Sequence, residues 1–159
     1  MKIILASDHA GFAYKTILVK ALEEEGHEIT DLGAFSDVST DDYPDFAAKV
    51  AEALLNKEGE RGILICGSAV GVSVAANKYK GIRAGVCHDT YSAHQSVEHD
   101  NANILCLGQR VIGIALALDI VKSFLNATFS NEYRHVKRLA KVAAIENKNM
   151  KEKNYGKSS

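Results

Sequence analysis

Short apolar runs alternate with longer stretches of helical periodicity along almost the whole chain. Residues 2–6 form a first apolar run, and residues 12–25 carry apolar positions at helical spacing up to Gly26. Residues 28–31 read as a short second strand. A polar stretch, 33–42, leads to Tyr43-Pro44-Asp45, where Pro44 predicts the start of a helix running to about residue 55. Further strands are predicted at 62–66, 82–87 and 104–107, each trailed by a helical pattern, at 72–78, 90–98 and 112–125. A last helix is predicted from 134 to 147, and beyond it a lysine-rich, disordered tail over 148–159.

Repeated β–α units of this length predict one α/β domain over residues 1–147. The expected architecture is a three-layer α/β/α Rossmann-like fold with a mainly parallel five-stranded sheet. Ile63-Leu64-Ile65 is apolar throughout, as strands covered on both faces are. In such folds ligands bind beyond the carboxyl ends of the strands. Asp8-His9 follows the first strand, Cys66-Gly67-Ser68 the third and His88-Asp89 the fourth, so candidate chemistry gathers along one edge.

Composition narrows the function classes. At 159 residues the chain is long enough for one proper core. A formal charge of −1 creates no field that would attract nucleic acid. No signal peptide is read at the N-terminus, and the longest apolar stretch, 111–121, is broken by Gly113 and Asp119 and too short to span a bilayer. Three cysteines without CxxC spacing argue for a reducing cytosol over a disulfide framework, and their spacing fits no common zinc site. The expectation is a soluble cytoplasmic protein without nucleic-acid or membrane partners, and without a metal.

Cys66 ends its strand just before the small-residue loop Gly67-Ser68-Ala69-Val70-Gly71 and a predicted helix. Unpaired N–H groups there favour an anion, so a thiolate at Cys66 is expected to be both stabilised and exposed. The alternative is an inert buried thiol, the reading given to Cys87 and Cys106. Asp8, in Asp8-His9-Ala10-Gly11, reads equally as a helix N-cap and as a carboxylate that, with His9, holds sugar hydroxyls or a phosphate. The absence of GxGxxG counts against a dinucleotide cofactor. His99, in Glu98-His99-Asp100-Asn101, either complements a helix end or transfers protons. His27, His88, His94 and His135 read as surface or packing residues. Arg134 and Arg138 share one helical face, either solvated or clamping a phosphate, with Arg110 a third candidate.

These pieces, in this order, resemble the type B ribose-5-phosphate isomerases and the related galactose-6-phosphate isomerase subunits. The resemblance rests on Ser7-Asp8-His9-Ala10-Gly11-Phe12, Asp42-Tyr43-Pro44-Asp45, Ile65-Cys66-Gly67-Ser68 with Gly71, and Ala75-Ala76-Asn77-Lys78. It continues through Gly81-Ile82-Arg83-Ala84, His99, Ala102-Asn103-Ile104-Leu105, Gly108-Gln109-Arg110-Val111, and Arg134-His135 with Arg138. It implies a cofactor-free, metal-free interconversion of ribose 5-phosphate and ribulose 5-phosphate through an enediolate. Cys66 is then the carbon base, Ser68 and the loop over residues 67–71 the oxyanion donors, and His99 with Asp8 the ring-opening groups. Tyr43 meets sugar hydroxyls, and His9, Arg110, Arg134 and Arg138 take the phosphate. The resemblance also implies a homodimer with shared sites, with pairing into tetramers left open.

Three departures stand out. Ser68 replaces a frequent threonine, Ala69 a frequent glycine, and Asp100-Asn101 inverts the commoner order after the histidine. An ionised Asp100 beside an enediolate is unfavourable, so its place among the binding residues is in question. Two rival readings remain: an isomerase of six-carbon 6-phosphates such as allose or galactose 6-phosphate, and a non-catalytic sugar-phosphate sensor.

Overall fold

The computed structural model describes residues 1–38 and 40–150. Five strands, β1 (Lys2–Ser7), β2 (Glu28–Asp31), β3 (Arg61–Cys66), β4 (Ala84–Val86) and β5 (Ile104–Gly108), form one sheet in the order β2-β1-β3-β5-β4. Every neighbouring pair is parallel. Among the described residues six α-helices accompany them: α1 (Phe12–Glu24), α2 (Tyr43–Leu55), α3 (Val70–Ala76), α4 (Thr90–Asp100), α5 (Ile114–Asn126) and α6 (Tyr133–Asn149).

The two-residue period of the strands builds two cores. Ile3, Leu5, Ile63, Ile65, Leu105 and Leu107 face one way, against α1, α4 and α5. Ile4, Ala6, Leu64, Cys66, Ile104 and Cys106 face the other way, against α2 and α3. Which helix covers which face follows from handedness. Right-handed crossovers that step in opposite directions along a sheet must lie on opposite faces. The step from β1 to β2 and the step from β3 to β4 diverge, so the crevice opens between β1 and β3. Backbone approach there is close: a Cβ on Gly11 would lie 2.5 Å from the Ile65 carbonyl oxygen, so only glycine lets the turn after β1 rest on β3.

Several boundaries differ from the expected ones. β4 is three residues long rather than six, because it is an edge strand whose entry is taken by a turn. The Asn77 side chain holds that entry, accepting from Ala84 N–H at 2.8 Å and donating to Ala84 C=O at 2.9 Å. α5 starts at Ile114 because residues 109–112 turn back over the end of β5. The last helix continues to Asn149, two residues into the expected tail. Of the rest of that tail, 151–159 lies outside the described residues.

Candidate active site

Cys66 ends β3 between two neighbours that carry candidate groups. On one side β1 delivers Asp8, whose N–H donates to the Ile65 carbonyl at 3.3 Å. On the other, Cys66 pairs with Gly108 of β5. The loop over residues 67–71 crosses so close to β5 that a Cβ on Gly108 would come within 2.8 Å of the Ser68 carbonyl carbon. That loop seats two further side chains. The Arg110 guanidinium lies over Gly67, 3.0 Å from where a Cβ would stand, and the Tyr43 ring lies against Gly71 at 2.8 Å by the same measure.

The loop differs from its expected form in two respects. Cys66 is only 5% exposed, not the open thiol expected, because its even position on β3 turns it toward the α2–α3 face. The N–H groups of the loop are also partly engaged within it. Ala69 N–H points at Cys66 Sγ at 3.1 Å, placing the positive end of a peptide dipole against the sulfur, and Val70 N–H reaches Ser68 Oγ at 3.4 Å. This turn requires Ala69 at φ +71°, in the left-handed region where a Cβ is strained. The other cysteines are different. Cys106 is fully buried and burial pushes its thiol well up, while burial also raises that of Cys87. All three are free.

Asp8 proves to be a cap and a buried carboxyl at once. It accepts from Gly11 N–H at 3.1 Å and is 7% exposed. Desolvation raises its pKa above the ordinary carboxylate value, opposed by the Gly11 bond and by His9 and reinforced by the charge of Asp41. His9 is gripped by Asp41, a residue that no motif singled out. Gln109, quoted in the motif with Arg110 but given no role of its own, also positions the site: its Oε1 accepts from Tyr14 N–H at 3.0 Å, and Tyr14 Oη donates to the Ile112 carbonyl at 2.8 Å. Together they tie α1 to the turn that carries Arg110. His88, read as a surface or packing residue, accepts the Gly108 N–H on Nε2 at 3.0 Å, and burial lowers its pKa.

The remaining candidates stand at the other end of the sheet. Arg83, at the amino end of β4, donates from Nε to the carbonyls of Asp100 and Asn101 at 3.1 and 2.9 Å. The carboxyl end of α4, with His99 and Asp100, is thereby fixed beside the amino ends of β4 and β5. From Ile104 to Gly108, β5 alone spans roughly 13 Å at about 3.3 Å per residue. His99 stacks on the buried His135 of α6, ring centroids 4.0 Å apart, and His135 Nδ1 meets Ser130 Oγ at 2.6 Å. Desolvation, then the charges of His99 and Arg134, lower the pKa of His135. Tyr133, Arg134, Lys137, Arg138 and Lys141 line a basic hollow of about 330 Å³. Asn101 takes φ +48° at the α4 terminus, a conformation asparagine adopts readily, which gives the inverted Asp100-Asn101 order a local rationale. Asp100 is exposed. One chain therefore gathers Cys66, Ser68, Asp8, His9, Tyr43 and Arg110, but not His99, Asp100, Arg134 or Arg138.

A parallel sheet with a thiol, a carboxyl and a guanidinium at its divergence point defines an α/β protein with a ligand site at its carboxyl edge. Among such proteins, this chain belongs to the ribose/galactose isomerase family, whose sequence model matches residues 3–142. Ribose-5-phosphate isomerase B of Escherichia coli is 46% identical to it, over 91% of this chain and 96% of that protein. D-erythrulose-4-phosphate isomerase 2 of Mycolicibacterium smegmatis is 40% identical, over 92% and 97%. The solved ribose-5-phosphate isomerase B of Clostridium thermocellum superposes with a TM-score of 0.91 at 49% identity, covering 94% of this chain and all of that one.

Proposed function

We propose that the protein interconverts ribose 5-phosphate and ribulose 5-phosphate by proton transfer between C1 and C2. The observation that carries this reading is the free Cys66 thiol at the crevice between β1 and β3, with Ala69 N–H directed at its sulfur. The Cys66 thiolate removes the C2 proton of the open-chain aldose, and the electron pair forms the C1=C2 bond while O1 takes the negative charge. The hydroxyl proton of O2 passes to O1. Cys66 then returns its proton to C1, leaving the carbonyl at C2. Ser68 and the loop N–H groups face the developing oxyanion. Asp8 assists His99 in opening the sugar ring. Tyr43 meets sugar hydroxyls, and His9, Arg110, Arg134 and Arg138 take the phosphate, whose binding holds the reacting carbons in place. Asp100 sits at the edge of this set.

Two chains complete each site in this reading, Cys66 and Arg110 from one and His99 with Arg134 and Arg138 from the other. It is supported by the placement of these groups at opposite ends of one sheet and by exposed apolar side chains that call for cover. Those are Val70 and Val74 on α3 and Val136, Val142 and Ile145 on α6. The same reading places the protein in the cytoplasm, supported by three cysteines that are all unpaired. Among the described residues no helix is long and apolar enough to cross a membrane.

A second reading, with the same chemistry on a sugar phosphate of different length, is favoured by the erythrulose-phosphate relative. The test is solvent-deuterium exchange and turnover by purified protein on ribose 5-phosphate, erythrulose 4-phosphate, allose 6-phosphate and galactose 6-phosphate. The expected result is fastest exchange at C2 of ribose 5-phosphate, abolished in Cys66→Ala. Preference for another length moves the assignment to that sugar, and binding of sugar phosphate without any exchange leaves only the sensor.

A further inference from the structure

The residue that holds His9 lies on the segment joining β2 to α2. Asp41 Oδ1 accepts the His9 backbone N–H at 3.2 Å and meets the ring Nδ1 at 2.5 Å. An oxygen that already accepts from the backbone is an acceptor for the ring too, so Nδ1 carries the proton. Both side chains are partly buried, 28% exposed for His9 and 20% for Asp41. Among the described residues no hydrogen bond engages His9 Nε2, which is therefore the nitrogen open to a ligand. The segment is fixed at both ends. At its start the buried Lys15 ammonium meets Asp31 Oδ2 at 2.5 Å, and Ser7 exchanges backbone hydrogen bonds with Gly33 and Ala34 at 2.7 and 2.6 Å. At its end α2 begins at Tyr43, whose ring is seated on Gly71.

We propose that Asp41 is a positioning residue that fixes the His9 proton on Nδ1 and turns Nε2 toward the phosphate of the substrate. This inference rests on the sugar-phosphate reading above. It has a chemical consequence. With the proton held on Nδ1, a neutral His9 offers the phosphate a lone pair, and only the imidazolium offers an Nε2–H donor. The charged groups facing the ring are Asp41 and Asp8, both acceptors, so neither supplies a donor in its place. Phosphate binding must then weaken as His9 loses its second proton.

Asp41→Asn separates this role from a merely structural one. Its amide can turn and donate to Nδ1, which sends the neutral ring's proton to Nε2, where it can donate to phosphate. Nitrogen–proton correlation spectra of the histidine rings, recorded on the unliganded full chain with His9→Gln for assignment, are expected to show the proton on Nδ1 in the wild type and on Nε2 in Asp41→Asn. Inhibition by inorganic phosphate is expected to weaken with rising pH in the wild type relative to Asp41→Asn, a comparison that cancels the titration of phosphate itself. Asp41→Ala is expected to raise KM about tenfold with kcat within about twofold. The proposal is overturned by a wild-type ring protonated on Nε2, by identical pH profiles in wild type and Asp41→Asn, or by an Asp41→Ala variant with unchanged KM. A wild type that turns over no sugar phosphate overturns the functional reading instead, while the ring spectra still decide whether Asp41 sets the His9 proton.

Discussion

The two ends of the sheet are built on different principles. At the carboxyl end the candidate side chains cluster around strand termini: Cys66 and Asp8 are buried, and the more exposed Arg110 and Tyr43 are seated on the backbone of the loop after β3. Asp8 caps a turn, Asp41 holds His9, and Arg110 lies over Gly67. At the amino end they stand on helix surfaces and look outward: Arg134 is 60% exposed and, among the described residues, paired only with its near neighbour Glu132, and Arg138 is exposed. The first end is finished within one chain. The second has position without enclosure, as expected of groups whose ligand arrives bound to another surface. Precision at one end comes from the sheet, and in the two-chain reading proposed above it comes at the other from assembly.

Mixing is the sharpest way to break this contrast. Cys66→Ala and His99→Asn chains, each nearly inactive alone, should recover activity when unfolded and refolded together. Half of randomly paired dimers are mixed and each holds one intact site, so recovery should approach about a quarter of wild type. No recovery, with mixed dimers verified by native mass spectrometry, would mean that both residues act within one chain. Next in size, Arg138→Ala removes a charge-assisted phosphate contact of about 1.5–3 kcal/mol, so KM should rise roughly ten- to a hundredfold. Competitive inhibition by inorganic phosphate should weaken with it, and unchanged values for both would return this face to solvent.

Stability should divide along the same line. The raised pKa of Asp8 means that the folded state binds its proton more readily than the unfolded chain does. Its ionisation therefore destabilises the fold as pH climbs from 3.8 through the raised value, and fully so above it. Asp8→Asn keeps the cap and removes that charge, so at neutral pH its Tm should rise, by no more than about 4 °C, while activity falls. Arg134→Gln, at the exposed end, should leave Tm unchanged. A lowered Tm for Asp8→Asn would show that the carboxylate stabilises the turn after all. The smallest effect is expected of Ala69→Gly. Relief of the strain at φ +71°, offset by the greater freedom of glycine in the unfolded chain, should raise stability by about 0.5 kcal/mol. A clear fall in Tm would show that the Ala69 methyl packs well enough to outweigh its strain.

This division also governs what could be read from the chain. Strands β1, β3 and β5 announce themselves because burial on both faces demands unbroken apolar runs, and the residues that follow them locate the carboxyl edge. β4 is shorter than its sequence suggests, because apolar letters at 82–87 do not distinguish an edge strand from a central one. Asp41 left no trace, since an aspartate in a polar stretch has no periodicity and its partner is 32 residues away. The stack of His99 on His135 was equally hidden, because the two rings meet only when α6 folds back onto α4. Strain at Ala69 was half visible, as a residue where glycine is frequent. Its left-handed φ is a property of the turn, which the side chain does not reveal. The expected exposure of Cys66 fails on the pleat: the apolar run locates the loop, but the face onto which the thiol turns is set by the register of β3.

The bond from Gly108 N–H to His88 Nε2 also makes one seam of the sheet sensitive to acid. An imidazole accepts on that nitrogen only while neutral, and its lowered pKa shows that the fold resists charging it. The stability this supplies is complete above about pH 6.5 and drains away as pH falls from there through the depressed value. The carboxyl end of β5, the strand residue paired with Cys66, is thus one seam that acid loosens, and the buried His135 beneath His99, whose pKa is also lowered, is another. Acid should loosen the seats of Cys66 and His99 alike.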